Sequence, residues 1–287
     1  MPQRKPGIHS FTYYNTNRSS LPDNVLKSRK QEVIYLLLDQ YDKDQTAILR
    51  PEHVVKKING FPETVVFEFS QALIRETAEK YGGVEAGHLV SVAGNTPIYK
   101  IDYHGRELGI SQCWIGASAC ISNMEEIVAM GTRNIFVCGE CGVLDGAIED
   151  ARLIIPAAAL RDEGTSYHYL PADDEIEMDP DCVNMIERFF IEKKVPYHKG
   201  KIWTTDAPYR ETRGKMAMRK ASGCIAVDME CSALAAFAKV RGIKYAQFVH
   251  AADNLDAEEW QQRGLTVRPV SQKAQIFELA LECACRM

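Results

Sequence analysis

The sequence predicts a three-layer α/β fold, with a central mixed, mostly parallel, twisted sheet flanked by helices. Three observations carry that expectation. Short β-branched and aromatic runs recur from residue 64 onward, helical stretches fall between many of them, and strand runs such as 134–138 (NIFVC) are apolar throughout. Buried strands alternating with helices imply a sheet covered on both faces.

The elements follow in chain order. Residues 1–27 are polar, rich in Asn, Ser and Tyr, and without a clear period, which reads as an extended arm. Residues 32–41 carry Val33, Ile34, Leu36, Leu37 and Leu38 and predict a helix. A shorter helix is expected after Pro51, through Val54, Val55 and Ile58. Residues 1–60 thus form an N-terminal arm and helical extension, and 61–287 the main domain. Residues 64–69 (TVVFEF), bounded by Pro62 and Ser70, predict a strand, and 71–81 a helix. Strands are expected over 88–93, 98–103 and 108–114, the last two joined at His104-Gly105. A helix over 118–130, the strand 134–138 and a strand over 152–155 come next. Asp179-Pro180 is a strong helix start, since Asp caps the first turn and Pro suits the first helical position; that helix should run to Lys194. Strands over 201–205, 224–227 and 245–251 frame a helix over 230–241, and a terminal helix begins near Ser271.

Composition narrows the function. Apolar residues make up 46% and charged residues 25%, ordinary globular usage. A net charge of -5 argues against a nucleic-acid surface, which needs an excess of Lys and Arg to neutralise phosphates, so a small metabolite is the expected partner. The nine cysteines are odd in number, scattered and mostly set in apolar stretches, where a free Cys behaves as a small buried hydrophobe. The opening MPQRKPGIHS lacks the apolar run of a signal peptide, and no stretch has the length of a membrane span. A reduced cytoplasmic protein, with no membrane partner, is the expectation.

Ligands in such sheets bind at the carboxyl ends of the strands, and three ends stand out. The run NIFVC leads into Gly139-Glu140-Cys141-Gly142, CIAV into Asp228-Met229-Glu230, and YAQFVHAA into Asp253-Asn254. Gly139 and Gly142 alone would suit a tight turn. The pair Cys138-x-x-Cys141 lacks thioredoxin-like surroundings, and two cysteines do not complete a zinc site. Glu230 would favour a helix N-terminus through the dipole, but its neighbours Met229, Cys231, Ala233 and Leu234 are apolar, and a carboxylate in that company needs a partner. Asp253-Asn254 also reads as a turn.

These residues, together with Gly116-Ala117-Ser118 and the segment 203–212 (WTTDAPYRET), resemble the nucleoside phosphorylase family of purine nucleoside phosphorylases, uridine phosphorylases and nucleosidases. The resemblance spans roughly residues 88–255. It implies an enzyme that cleaves the bond between a nucleobase and its ribose through an oxocarbenium-like transition state. Glu230 would hold the ribose hydroxyls, with Met229 beneath the sugar. Asp253 would donate a proton, or a strong hydrogen bond, to a purine as it leaves. The segment containing Asp206, Pro208, Tyr209 and Arg213 would form the base site, with stacking on Tyr209; Pro208 stands where the family usually has Phe. The resemblance implies no metal or organic cofactor and assembly as a homodimer or hexamer. His9 and His250 are candidates for the 5′-hydroxyl contact.

At the nucleophile the sequence departs from the family pattern. Phosphorolytic members bind phosphate, their co-substrate, with arginines and a Ser or Thr in the glycine loop. Here Glu140 holds that loop position between Gly139 and Gly142, Val137 and Ala93 stand at two arginine positions, and Phe69-Ser70-Gln71 replaces the N-terminal phosphate loop. Arg75 is the nearby cation, at shifted spacing. Phosphorolysis of a purine nucleoside leads on family frequency. Three alternatives stand beside it: a phosphate-independent nucleosidase in which Glu140 activates water, a uridine phosphorylase, and a nucleoside sensor without turnover.

Overall fold

Alternate residues of neighbouring strands serve two separate cores. Val65 and Phe67, like Ile135 and Val137, pack on one face of the sheet, while Val66, Phe136 and Cys138 pack on the other. That period of two is the geometry of a pleated strand buried on both sides. The computed structural model describes residues 37–287 except Ala93. Over them the chain forms β1 (Thr64–Glu68), β2 (Val84–Ser91), β3 (Gly94–Tyr103), β4 (Arg106–Gln112), β5 (Asn134–Val143), β6 (Leu153–Asp162), β7 (Glu175–Glu177), β8 (Tyr197–Thr205), β9 (Cys224–Asp228) and β10 (Lys244–Asn254). The helices are α1 (Pro51–Val54), α2 (Gln71–Lys80), α3 (Ala117–Met130), α4 (Pro180–Lys193), α5 (Arg213–Ala221), α6 (Cys231–Arg241) and α7 (Val270–Ala284).

Helices cover both faces, as expected. Cys120, Ile121 and Met124 of α3 and Phe237 of α6 fill one core; Leu73 of α2, Phe189 and Phe190 of α4 and Phe277 of α7 fill the other. The sheet is mixed. β1 runs parallel to β4 and β5, β5 to β10, and β8 to β6 and β9, whereas β2–β3, β3–β4, β5–β9, β6–β7 and β6–β10 are antiparallel. One feature exceeds the layered expectation: β10 pairs with both β5 and β6, so β10, β6, β8, β9 and β5 close into a barrel-like core.

The boundaries differ from the sequence expectation where pairing extends a strand. β5 does not stop at Cys138 but continues through Gly139–Gly142, because β10 runs beside it to Val143. The supposed glycine loop is strand. β6 likewise extends to Asp162 alongside β8, and α5 and β7 were not anticipated. The helix after Pro51 is a single turn: Val55 adopts extended geometry, and the Ile58 N–H bonds to Met130 rather than up a helix. Val55 and Ile58 still pack against the first core. Of the helix expected over 32–41, only a 3₁₀ turn at Leu37–Asp39 lies within the described residues. The arm, His9 and Ala93 lie outside them.

Eight of the nine cysteines are buried and all nine are free thiols, which fits their reading as small hydrophobes. No described helix is long and apolar enough to cross a membrane.

Candidate active site

A cleft of about 390 Å³ opens where the carboxyl ends of β1, β5, β9 and β10 meet. β9 runs antiparallel to β5 but touches it only at Gly142–Val227 and Val143–Ala226, so their carboxyl ends converge. Three strand ends that the sequence singled out therefore do share one crevice.

Glu230 sits at the N-terminal cap of α6, buried, and its Oε1 accepts the Gly116 N–H at 2.5 Å. Gly116 has φ +92°, which a residue with a side chain resists, so glycine here lets α3 begin with its amide aimed at Glu230. Burial and then the nearby Asp228 charge push the Glu230 carboxyl up to about 8. Asp228 itself is held by Thr204 Oγ1 at 2.8 Å and the Cys231 N–H at 2.9 Å. Met229 lines the cleft beside them.

Asp253 owes its position to a β-bulge. Ala251 faces Cys141 and Asp253 faces Gly142, leaving one extra residue, Ala252, on β10. Such an insertion re-aims the next side chain, here into the cleft. Trp260 Nε1 donates to Asp253 Oδ2 at 2.8 Å. Oδ1 faces Gly142, where a Cβ would stand 3.0 Å away. Burial raises the Asp253 pKa, partly offset by the Trp260 bond. Glu211 stands on the same wall, and burial, reinforced by Asp253, pushes its carboxyl up to about 7.

The wall of the cleft formed by the ends of β1 and β5 is acidic. Glu68 ends β1, nearly buried, and accepts the Ser70 N–H. Burial pushes its pKa up to about 7. Glu140 Oε1 stands 3.0 Å from Lys273 Nζ on α7. No arginine is among the described residues lining this cleft. Arg75, expected here, lies on the exposed face of α2 and turns away from the site because Leu73, Ile74, Thr77 and Ala78 claim the buried face. Val137 is core. Gly139 is required by packing: a Cβ there would come within 2.6 Å of the Phe69 ring.

The expected base segment is placed differently from its sequence reading. Pro208 lines the cleft, but Tyr209 is 100% exposed and borders only an adjoining cavity. Asp206 is exposed and accepts the Gly164 N–H at 2.8 Å, outside the cleft lining. Arg213 spends its guanidinium on the carbonyls of Leu255, at 2.8 Å, and Glu258, so it clamps the turn after β10. His250 is buried away from the cleft; burial, then the Arg268 and Lys273 charges, drive its pKa down to about 3.

Glu68, Glu211, Trp260 and Lys273 were missed as site residues. Glu68 had a sequence signal, as the single charge in TVVFEF. Lys273 had none, because it arrives from a distant segment, and Trp260 had none, because no local pattern shows that the turn after β10 folds it back onto Asp253. Among the described residues, no group of three or more His, Cys, Asp or Glu side chains is arranged to hold a metal.

Comparison with known proteins adds the family. The model of the phosphorylase superfamily matches residues 65–282. A guanosine phosphorylase of Halorubrum lacusprofundi is 26% identical over 162 residues, 55% of this chain and 67% of that protein. A uridine phosphorylase of Thermococcus kodakarensis is 31% identical over 111 residues, 37% of this chain and 39% of that protein. The purine nucleoside phosphorylase of Toxoplasma gondii, solved with immucillin-H, shares the fold with a TM-score of 0.67 at 18% identity, over 83% of this chain and 92% of that one.

Proposed function

As this chain belongs to the phosphorylase superfamily and is an enzyme of it, we propose that it cleaves the N-glycosidic bond of a purine nucleoside with water, not phosphate, as the nucleophile. The observation that carries this reading is the pairing of Glu68 and Glu140 at the nucleophile end, with Lys273 as the neighbouring cation. A carboxylate about 4 Å from a phosphate charge repels it by about 1 kcal/mol in water and about 4 kcal/mol near a protein surface. The same charges favour the cationic ribose of an oxocarbenium-like transition state.

The roles follow from the geometry. Glu230, anchored by Gly116, faces the sugar hydroxyls with Met229 beside it. Asp253 carries a raised pKa and keeps Oδ1 free of Trp260, so it supplies a proton to the departing purine. Glu68, with a pKa near the working pH, takes the proton of the attacking water. Glu140, tied to Lys273, shapes the charge around that water and is a less suitable base than the sequence suggested.

Phosphorolysis has two observations in its favour. Lys273 would bind phosphate if it released Glu140, and the two relatives named above are called phosphorylases. The discriminating test incubates adenosine, inosine, guanosine and uridine with and without phosphate and scores free base, ribose and ribose 1-phosphate. Equal base release without phosphate supports the nucleosidase reading; release only with phosphate overturns it. Release from uridine alone would refute the purine assignment, and no release at all would favour a sensor.

A further inference from the structure

We propose that the base end of the cleft continues into an annex that takes an apolar substituent on the purine's exocyclic amine. The substrate class is then N6-alkylated or N6-arylalkylated purine nucleosides. This rests on the reading of the cleft as a nucleoside site.

The annex is a cavity of about 690 Å³ that shares Pro208, Glu211, Asp253 and Leu255 with the cleft. Glu230 and Met229 do not line it. A nucleoside with its sugar at Glu230 and its base at Asp253 therefore points the far edge of the base toward the annex. Pockets of roughly 300–1,000 Å³ enclose drug-sized ligands, so the 390 Å³ cleft already suffices for a bare nucleoside. The second volume is surplus unless the base carries something more.

The walls say what that group is. Pro208, Tyr209, Met216, Leu255, Trp260 and Leu265 present an apolar surface. The side-chain N–H groups nearby are already engaged. Trp260 gives its N–H to Asp253, Arg213 is bound to the Leu255 and Glu258 carbonyls, and the Gln262 side-chain amide donates to Leu265 and Thr266. A phosphate would find no unengaged cation among the described residues lining the annex. Tyr209 is 100% and Trp260 55% exposed, aromatic surface left without a stacking ring among the described residues. Glu211, at the junction, is placed to accept one N–H from the substituted amine, which retains a hydrogen after alkylation. The junction thus reads an amine and the annex buries its substituent.

The test measures base release from adenosine, inosine, guanosine and N6-benzyladenosine by the wild type and by Met216→Trp, whose larger side chain fills the annex from a position that does not line the cleft. The expected result is a kcat/KM for N6-benzyladenosine at least about tenfold above the best unsubstituted purine nucleoside, within the range an apolar pocket discriminates. Met216→Trp should abolish that advantage while leaving unsubstituted substrates within about threefold. Gln262→Trp, on another wall, makes the same test should Met216→Trp fail to fold. Cleavage of unsubstituted nucleosides with no benzyl advantage, or an advantage that survives both fillings, overturns the annex alone. Failure to cleave any of the four overturns it together with the nucleosidase reading.

Discussion

Trp260 holds Asp253 from outside the sheet, its indole N–H donating to Oδ2 at 2.8 Å. The two residues lie seven apart, joined by a turn that the Arg213 guanidinium clamps through the Leu255 and Glu258 carbonyls. One carboxyl oxygen is thereby fixed and the other left to the substrate. The bond favours the ionised carboxylate, while burial favours the protonated acid. In the proposed role, their balance sets when Asp253 carries a proton for the departing base.

Asp253→Asn should lower kcat for purine nucleosides by about 10²- to 10⁴-fold, the usual contribution of a positioned acid. KM and the thermal unfolding midpoint should change little, because Asn still accepts the Trp260 bond. Steady-state kinetics with a melting curve checks this; undiminished turnover removes Asp253 from the chemistry.

Trp260→Phe removes the N–H that stabilises ionised Asp253, so the Asp253 pKa should rise further. As the acid must be protonated to work, the alkaline limb of the rate profile should move to higher pH. A pH–kcat/KM series on both proteins reads the shift, and a limb that stays put or moves down contradicts the pairing.

Glu68 is raised from an ordinary 4.5 to about 7 in the folded chain. Its sign is that of a group that favours folding below its unfolded pKa and forfeits that contribution as pH rises through the folded one. Glu68→Gln should therefore match the wild type near pH 4 and be more stable by on the order of 2–3 kcal/mol at pH 8. It should also lose base release without phosphate, and the wild-type rate should fall below about pH 7 as Glu68 takes up its proton. Denaturant curves at the two pH values, with an activity assay, test both halves.

Glu140→Thr removes the partner of Lys273 and a carboxylate from the nucleophile end. Base release should become phosphate-stimulated, with ribose 1-phosphate appearing among the products. Phosphate titrations of both proteins decide it. An unchanged response places Glu140 outside the anion site.

His250 has the opposite linkage. Its pKa falls from 6.5 to about 3 on folding, so its contribution to stability is complete above pH 6.5 and is lost as pH falls toward 3. Its buried Nδ1 has no hydrogen-bond partner among the described residues, so His250→Leu forfeits no bond to them there. The variant should unfold less readily than the wild type between pH 6 and about 4. Acid titrations followed by circular dichroism measure this.

Much of the site was legible because its signals are local. Glu230 was visible as a carboxylate among apolar neighbours, and Asp253 as an acid at the end of an apolar strand run. Both line the cleft. Tyr209 and Arg213 misled because a motif gives residue order and not the path of the chain. The turn after β8 carries Tyr209 outward, and the guanidinium of Arg213 is consumed by carbonyls more than forty residues away in sequence. Arg75 failed for a simpler reason, since helical periodicity assigns its face to solvent once Leu73 and Ile74 are buried.

The sequence by itself determined the layered α/β class, most strands and most helices, since β-branched runs, caps and helical stretches act over a few residues. It also marked Glu230 and Asp253 as carboxylates at or just past strand ends. Tertiary structure alone decided that β10 closes a barrel against both β5 and β6, that Ala252 bulges and turns Asp253 into the cleft, and that Lys273 and Trp260 arrive to pair with Glu140 and Asp253. Register, bulges and ion pairs depend on which distant segments come to lie side by side, a property of packing that local pattern does not encode.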